Sequence, residues 1–263
     1  MSLIEVIILA IIEGLTEFLP VSSTGHMILA SSLMKLENTE FLKTFEIVIQ
    51  LGAILAVLAL YLKRFFVSPT IYLKLLVAFL PTGAIGFLAY KTIKTYLFNP
   101  VSVSAALIIG GVILIVLDKW TGQKKSKYEK VEDVSYPDAI KIGFFQCLSM
   151  IPGVSRAAAT IFGGIFSGFD RKLATEFSFL LAIPTMFAAS GLDLLESGEN
   201  IHSDDAFLLL VGAGVAFLFA IVAVKAFIVF VQKFGFKHFG YYRIILGVLF
   251  LLLSYKMGLT FVP

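Results

Sequence analysis

Charge is what this 263-residue chain has least of: 15% of its residues are Asp, Glu, Lys or Arg, against about 25% in an ordinary soluble domain. Cysteine is nearly absent as well. The single Cys147 excludes an intrachain disulfide and a thiolate metal cluster. No GxxxxGK[ST] stretch occurs, so nothing in the chain indicates ATP use, and no nucleic-acid partner is expected. The N-terminal MSLIEVIILAIIEG lacks the basic region and small-residue cleavage site of a signal peptide, so it is expected to stay in the mature fold.

What fills the chain instead is apolar. Hydrophobic residues make up 59% and the mean hydropathy is +0.95, which points to a polytopic membrane protein with no soluble domain left over. Six segments are long and apolar enough to span, at about 20 residues each: 44–62, 71–90, 99–118, 173–195, 206–231 and 240–260. Residues 2–34 and 136–169 are also apolar, but Leu19-Pro20 and Pro152-Gly153 interrupt them. Proline removes a backbone donor and disfavours helix in the residue before it, so each region reads as helix, turn, helix. Broken backbone at membrane depth is tolerated only where protein buries it or a watery cavity meets it. Both regions are therefore expected to be re-entrant hairpins.

A slide of 133 residues lays EGLTEFLPVSS (13–23) over QCLSMIPGVSR (146–156), matching Leu15 with Leu148, Val21 with Val154 and Ser22 with Ser155. The expected fold class is thus an all-α polytopic membrane protein with an inverted-topology repeat, each half holding one re-entrant helical hairpin and three transmembrane helices. Residues 1–118 form the first repeat, 119–135 a basic cytoplasmic loop and 136–263 the second repeat. Of the 21 Lys and Arg residues, fifteen fall on one side of this topology, among them Lys63, Arg64, Lys127, Lys141 and Arg243. Five fall on the other and Arg156 within the membrane. The positive-inside rule makes the first side cytoplasmic. Both termini and the first hairpin then belong to the exterior side, the second hairpin rises from the cytoplasm, and the two tips meet.

That meeting point carries the chemistry. Glu13, Glu17 and Arg156 would each cost about 2.5–3.5 kcal/mol at a helix centre in a bilayer, so they call for each other, a metal or a substrate. Glu13 and Glu17 share a helix face: they are either wet near the exterior surface or hold a hard divalent cation. Ser22, Ser23 and Thr24 open one helix, and Ser155 opens another ahead of Arg156 and Thr160. Capping explains at least one serine in each group. The two helix N-termini and Arg156 would also form an anion site. His26 follows Ser23 on the same face, as a core histidine or a proton carrier. His202 and His238 are read as solvated loop residues. Carboxylates, an arginine, a hydroxyl and an imidazole at mid-membrane suit phosphoryl transfer on a lipid. Broken helices meeting at a midplane also suit an anion transporter, and Ser23 with His26 an intramembrane protease.

At these residues the chain resembles the undecaprenyl pyrophosphate phosphatases, the family whose overproduction confers bacitracin resistance. The first family motif stands complete as EGLTEFLPVSSTGH (13–26), and the second, PGxSRSGxT, stands as PGVSRAAAT (152–160), with Ala157 and Ala158 in place of Ser and Gly. The resemblance implies removal of the terminal phosphate from a polyprenyl pyrophosphate lipid, recycling the carrier for peptidoglycan. It further implies a site opening outward from the bacterial cytoplasmic (inner) membrane, a divalent metal such as Mg²⁺ or Ca²⁺, and a homodimer. In this reading Glu13 and Glu17 hold the metal, while Ser22, Thr24, Ser155, Arg156 and Thr160 bind phosphate. Ser23 attacks, His26 or Glu17 takes its proton, and His26 or a water is the alternative nucleophile.

Overall fold

The computed structural model describes residues 1–67, 69–97, 99–121, 126–197 and 205–257. Ten α-helices run through them, in chain order α1 (Leu3–Thr16), α2 (Ser23–Leu33), α3 (Glu40–Val67), α4 (Thr70–Leu97), α5 (Pro100–Thr121), α6 (Tyr136–Cys147), α7 (Arg156–Phe166), α8 (Arg171–Ser197), α9 (Ala206–Phe234) and α10 (Lys237–Met257). Six of them, α3, α4, α5, α8, α9 and α10, are long and apolar enough to cross a membrane. They fall on the six expected segments. Their outward faces are apolar to a degree that water would not tolerate: Phe87 and Leu88 are each more than 80% exposed. Such a surface belongs against lipid, and the protein is a multi-pass membrane protein.

The four remaining helices form two pairs around the proline breaks. Ser2 caps α1 in a capping box with Glu5, the Ser2 N–H donating to Glu5 Oε2 at 2.6 Å. Thr16 ends that helix because Pro20 cannot continue it, and α2 starts again at Ser23. In the second pair, Ser135 Oγ accepts from the Asp138 N–H to open α6. A single 3₁₀ turn at Leu148–Met150 follows it, and α7 opens after Pro152-Gly153. The restart is built identically twice. Ser22 and Ser155 both sit at φ +70° and both accept from the N–H three residues on, Gly25 and Ala158, at 3.3 Å. Gly153, at φ +92°, leaves no room for a Cβ, which would lie 2.6 Å from the Val103 carbonyl oxygen.

The first helix of each pair packs mainly on a helix from the other half of the chain, α1 on α9 and α6 on α4, while α7 lies against α8 of its own half and α5 pairs with α10. Phe18, fully buried, pins the first turn into the main core through an edge-to-face contact with Phe179 at 5.8 Å. Two expectations change. His238 lies in the first turn of α10, exposed, rather than in a loop; His202 lies outside the described residues. Arg243, grouped above with the cytoplasmic cations, is fully buried between both hairpin turns, because α10 begins at Lys237 and carries it a turn and a half further in.

Candidate functional site

The two turns meet directly. Ser155 Oγ donates to the Leu19 carbonyl at 3.4 Å, and a cavity of about 210 Å³ lies between the hairpins, lined by Glu17, Ser22, Ser23, Thr24, Ser155 and Arg156. From α3 and α8 come Gln50, Thr185 and Met186, and from the second turn Ser149, Pro152 and Gly153. Pockets for drug-sized ligands run to about 300–1,000 Å³, so this one suits a small polar headgroup.

Glu17 is its centre. As the C-cap of α1 it points off the end of the helix. Ser23 Oγ donates to its Oε2 at 2.6 Å, and Arg156 Nη2 to its Oε1 at 3.0 Å. Ser23 and Arg156 are each the first residue of a helix, and the 133-residue slide superposes them. The same position in the two turns thus supplies a hydroxyl on one side and a guanidinium on the other. Arg156 is 10% exposed and Glu17 7%. At that depth water screens little and the ion pair is strong.

Further contacts hold the arginine. Nη1 donates to the Ser178 carbonyl at 3.0 Å, Nη2 also reaches Met186 Sδ at 3.4 Å, and the guanidinium lies 5.5 Å from the Phe18 ring centre. Its Nε–H, buried, has no partner among the described residues. A buried donor left unmade is costly. The first-turn N–H groups of α2 and α7 add their dipole ends at the same spot.

Several expected residues stand elsewhere. Glu13 is buried one turn behind Glu17, off the cavity wall, with Glu17, Glu46 and Arg156 as its charged neighbours. Thr160 is 1% exposed and spends its hydroxyl on the Arg156 and Ala157 carbonyls and on Ser178 Oγ at 2.7 Å. It braces α7 on α8 instead of facing the cavity. His26 is tied on both sides: Nδ1 bonds the Ser22 carbonyl at 2.8 Å and Nε2 the Tyr242 hydroxyl at 2.7 Å, with the two rings stacked. A carbonyl only accepts, so Nδ1 carries hydrogen and the neutral ring accepts from tyrosine at Nε2. His26 therefore has no nitrogen left for Ser23. Ala157 and Ala158 are packed and off the cavity wall.

Sequence reasoning missed Gln50, Thr185, Tyr242 and Arg243. Gln50 bonds Ser190 at 3.1 Å, and Thr185 bonds Gln146, the residue that the slide lays over Glu13. The available signal was a polar side chain inside an apolar span, as in FEIVIQLG and YYRIILG. Among the described residues no three His, Cys, Asp or Glu side chains converge as a metal cage. The donor set fits an ion held otherwise: Mg²⁺ commonly takes one or two carboxylates and completes its shell with substrate phosphate and water. Glu17 is the carboxylate on the cavity wall.

Comparison with known proteins gives a single answer. Residues 6–249 match the family model described as bacitracin resistance protein BacA. An undecaprenyl-diphosphatase of Wolinella succinogenes is 54% identical over 95% of this chain and 98% of that protein. Proteins of the same name from Bdellovibrio bacteriovorus and Persephonella marina are 52% and 50% identical, over 97% and 96% of this chain and 97% and 99% of theirs.

Proposed function

This chain belongs to the bacitracin resistance protein BacA family, and on that premise we propose that the cavity between its two hairpins is where it acts. The protein is an undecaprenyl-diphosphatase, a hydrolase that converts undecaprenyl pyrophosphate to the monophosphate and inorganic phosphate. The observation that carries the placement is Glu17, held at once by the Ser23 hydroxyl and the Arg156 guanidinium on the wall of a headgroup-sized cavity.

The geometry supports the following steps. Arg156, through its guanidinium on the cavity wall, takes the terminal phosphate, and the N-termini of α2 and α7 spread the charge. Ser23 Oγ attacks that phosphorus while its proton passes along the existing hydrogen bond to Glu17 Oε2. The P–O bond to the bridging oxygen breaks as Glu17 passes that proton to the departing oxygen, and lipid monophosphate leaves. Water then attacks the phosphoserine, giving its proton to the serine oxygen and releasing inorganic phosphate. Glu17, rather than His26, is the base, since both imidazole nitrogens are engaged. A divalent ion, Mg²⁺ or Ca²⁺, would be held by Glu17 together with the substrate's oxygens; when bound it neutralises charge on the pyrophosphate.

The matched Ser22 and Ser155 caps and the parallel packing of α1 on α9 and α6 on α4 support a duplication of 1–118 in 136–263, joined by 119–135. The inverted arrangement rests on three spans per half. The charge count, fourteen against five without Arg243, supports an exterior-facing first hairpin in the cytoplasmic membrane. Every group named comes from one chain, so the homodimer that the family likeness implies would give each copy a complete set. A transporter has no need of a serine hydrogen-bonded to a carboxylate.

The test is phosphate release from farnesyl or undecaprenyl pyrophosphate by detergent-purified protein, with Mg²⁺ and with chelator, for wild type, Glu17→Gln, Arg156→Ala and Ser23→Ala. Chelator-sensitive release lost in all three variants is expected. Substantial release by Ser23→Ala would transfer the attack to water, and release by Glu17→Gln would remove the proposed base.

A further inference from the structure

We propose that Arg243 is a positioning residue for the phosphate site, holding both hairpin turns with their carbonyl oxygens turned out of the cavity and placing a full positive charge behind its floor. This rests on the cavity being the phosphate site.

A guanidinium has five N–H donors, and here all five are matched by carbonyl oxygens. Nε donates to Leu107 at 3.3 Å, Nη1 to Pro20 and Val154 at 3.0 Å each, and Nη2 to Ala106 at 3.0 Å and Gly153 at 2.8 Å. Three of these acceptors are in the turns: Pro20 in the first, Gly153 and Val154 in the second. The side chain is fully buried, and among the described residues no carboxylate lies within ion-pair reach. A buried charge without a counter-charge is retained only where other contacts offset its desolvation.

The direction of those carbonyls is what matters for function. Gly153 lines the cavity while Arg243 does not, so the Gly153 oxygen points away from the cavity. An oxygen facing inward would repel a phosphate, whereas a turn held by its carbonyls presents its N–H side. The positive charge adds to that of Arg156 at short range in a medium of low dielectric.

The fold leaves a slot for this group. Gly111 and Gly240 let α5 and α10 touch, each lacking a Cβ that would lie 2.6 Å from the other's carbonyl oxygen, and a Cβ on Gly110 would meet Nη2 at 2.4 Å. The preceding residue, Tyr242, fixes His26 in the first turn of α2. One short stretch of α10 thus sets the register of both turns. Lysine, with three donors on a point charge, cannot make the five contacts.

The experiment compares wild type, Arg243→Lys and Gly110→Ala in folded, detergent-purified protein. KM and kcat for farnesyl pyrophosphate, competitive inhibition by inorganic phosphate, and inhibition by uncharged farnesol are all measured. Both variants should raise KM and the phosphate inhibition constant about tenfold or more while the farnesol constant stays within twofold. Equal weakening of phosphate and farnesol would reduce Arg243 to general scaffolding, and unchanged phosphate inhibition would overturn the proposal. Should Arg243→Lys fail to fold, Gly110→Ala decides, since it keeps the charge and shifts only the end of a side chain. Phosphate release absent from wild type would instead sink the assignment of the cavity.

Discussion

Removing Arg156 should cost more than the contacts it makes, because of what it leaves behind. Arg156→Ala deletes the 3.0 Å bond to Glu17 and the bonds to the Ser178 carbonyl and Met186. It strands a carboxylate that is 7% exposed, leaving it the Ser23 hydroxyl as donor and Glu13 one turn away. Breaking a buried pair from one side costs about 3–5 kcal/mol. Glu17→Gln keeps an acceptor oxygen of the same shape, so its cost is that of weakened charged hydrogen bonds, about 1.5–3 kcal/mol. The double variant leaves no stranded charge. Its loss should fall short of the sum of the singles by about 1–3 kcal/mol, within the range found for residues in direct contact. Denaturant unfolding in mixed micelles, followed by tryptophan emission or circular dichroism, gives the four free energies of the cycle. Phosphate release should fall by about 10²-fold or more in each variant, as for loss of one preorganised charge stabiliser. Additivity of the two stability changes to within about 0.5 kcal/mol would refute the pairing and with it the electrostatic account of the cavity.

Other consequences are open to test. Gly153→Ala combines a left-handed backbone with a Cβ 2.6 Å from the Val103 oxygen; it should lose more than about 1–3 kcal/mol, the usual cost of such backbone strain, and activity with it, measured by thermal unfolding and phosphate release. Tyr242→Phe removes the donor to His26 Nε2 and should lower kcat/KM by about 2- to 12-fold, equivalent to about 0.5–1.5 kcal/mol, with unfolding temperature little changed; a loss beyond about 10³-fold would mean that the tyrosine itself joins the chemistry. At the start of α6, burial pushes the Asp138 carboxyl up, but hydrogen bonds from Lys127, Lys141, Tyr128 and Ser135 outweigh it and hold the group well below the usual carboxylate range. A carboxyl with a depressed folded value stabilises at pH above its unfolded value, near 4, and loses that contribution as pH falls toward the folded one. Asp138→Asn should therefore unfold at lower temperature than wild type at pH 7, with the gap closing below about pH 4; a gap independent of pH would show that packing, not charge, is at work.

Much of this was legible in the chain because the bilayer imposes simple rules. A span needs a run of apolar residues, a proline ends a helix, and a serine after the break caps the next one. From these rules came six spans, two broken hairpins and a capping serine after each break, all within local sequence. The approach of Glu17, Ser23 and Arg156 was expected on the cost of isolated buried charge, which demands a partner without saying which atom provides it. The contacts of Thr160 and His26 lay beyond the sequence for one reason. Both lie on the right helices, but rotation about the helix axis turns Thr160 toward Ser178 and His26 toward Tyr242, and a motif spacing does not fix that rotation against distant neighbours.

Arg243 marks the boundary most clearly. Counted by position it belongs with the loop cations, and nothing nearby in the chain pairs with it. Its five acceptors come from residues 20, 106, 107, 153 and 154, up to 223 positions away, and backbone carbonyls carry no side-chain signature. The sequence by itself determined the membrane class, the helix breaks and the cast of reactive side chains, since hydropathy and capping act over a few residues. Tertiary structure alone decided which of those side chains share a cavity and which charge stands behind it, because contacts between helices from opposite ends of the chain depend on packing that no local pattern encodes.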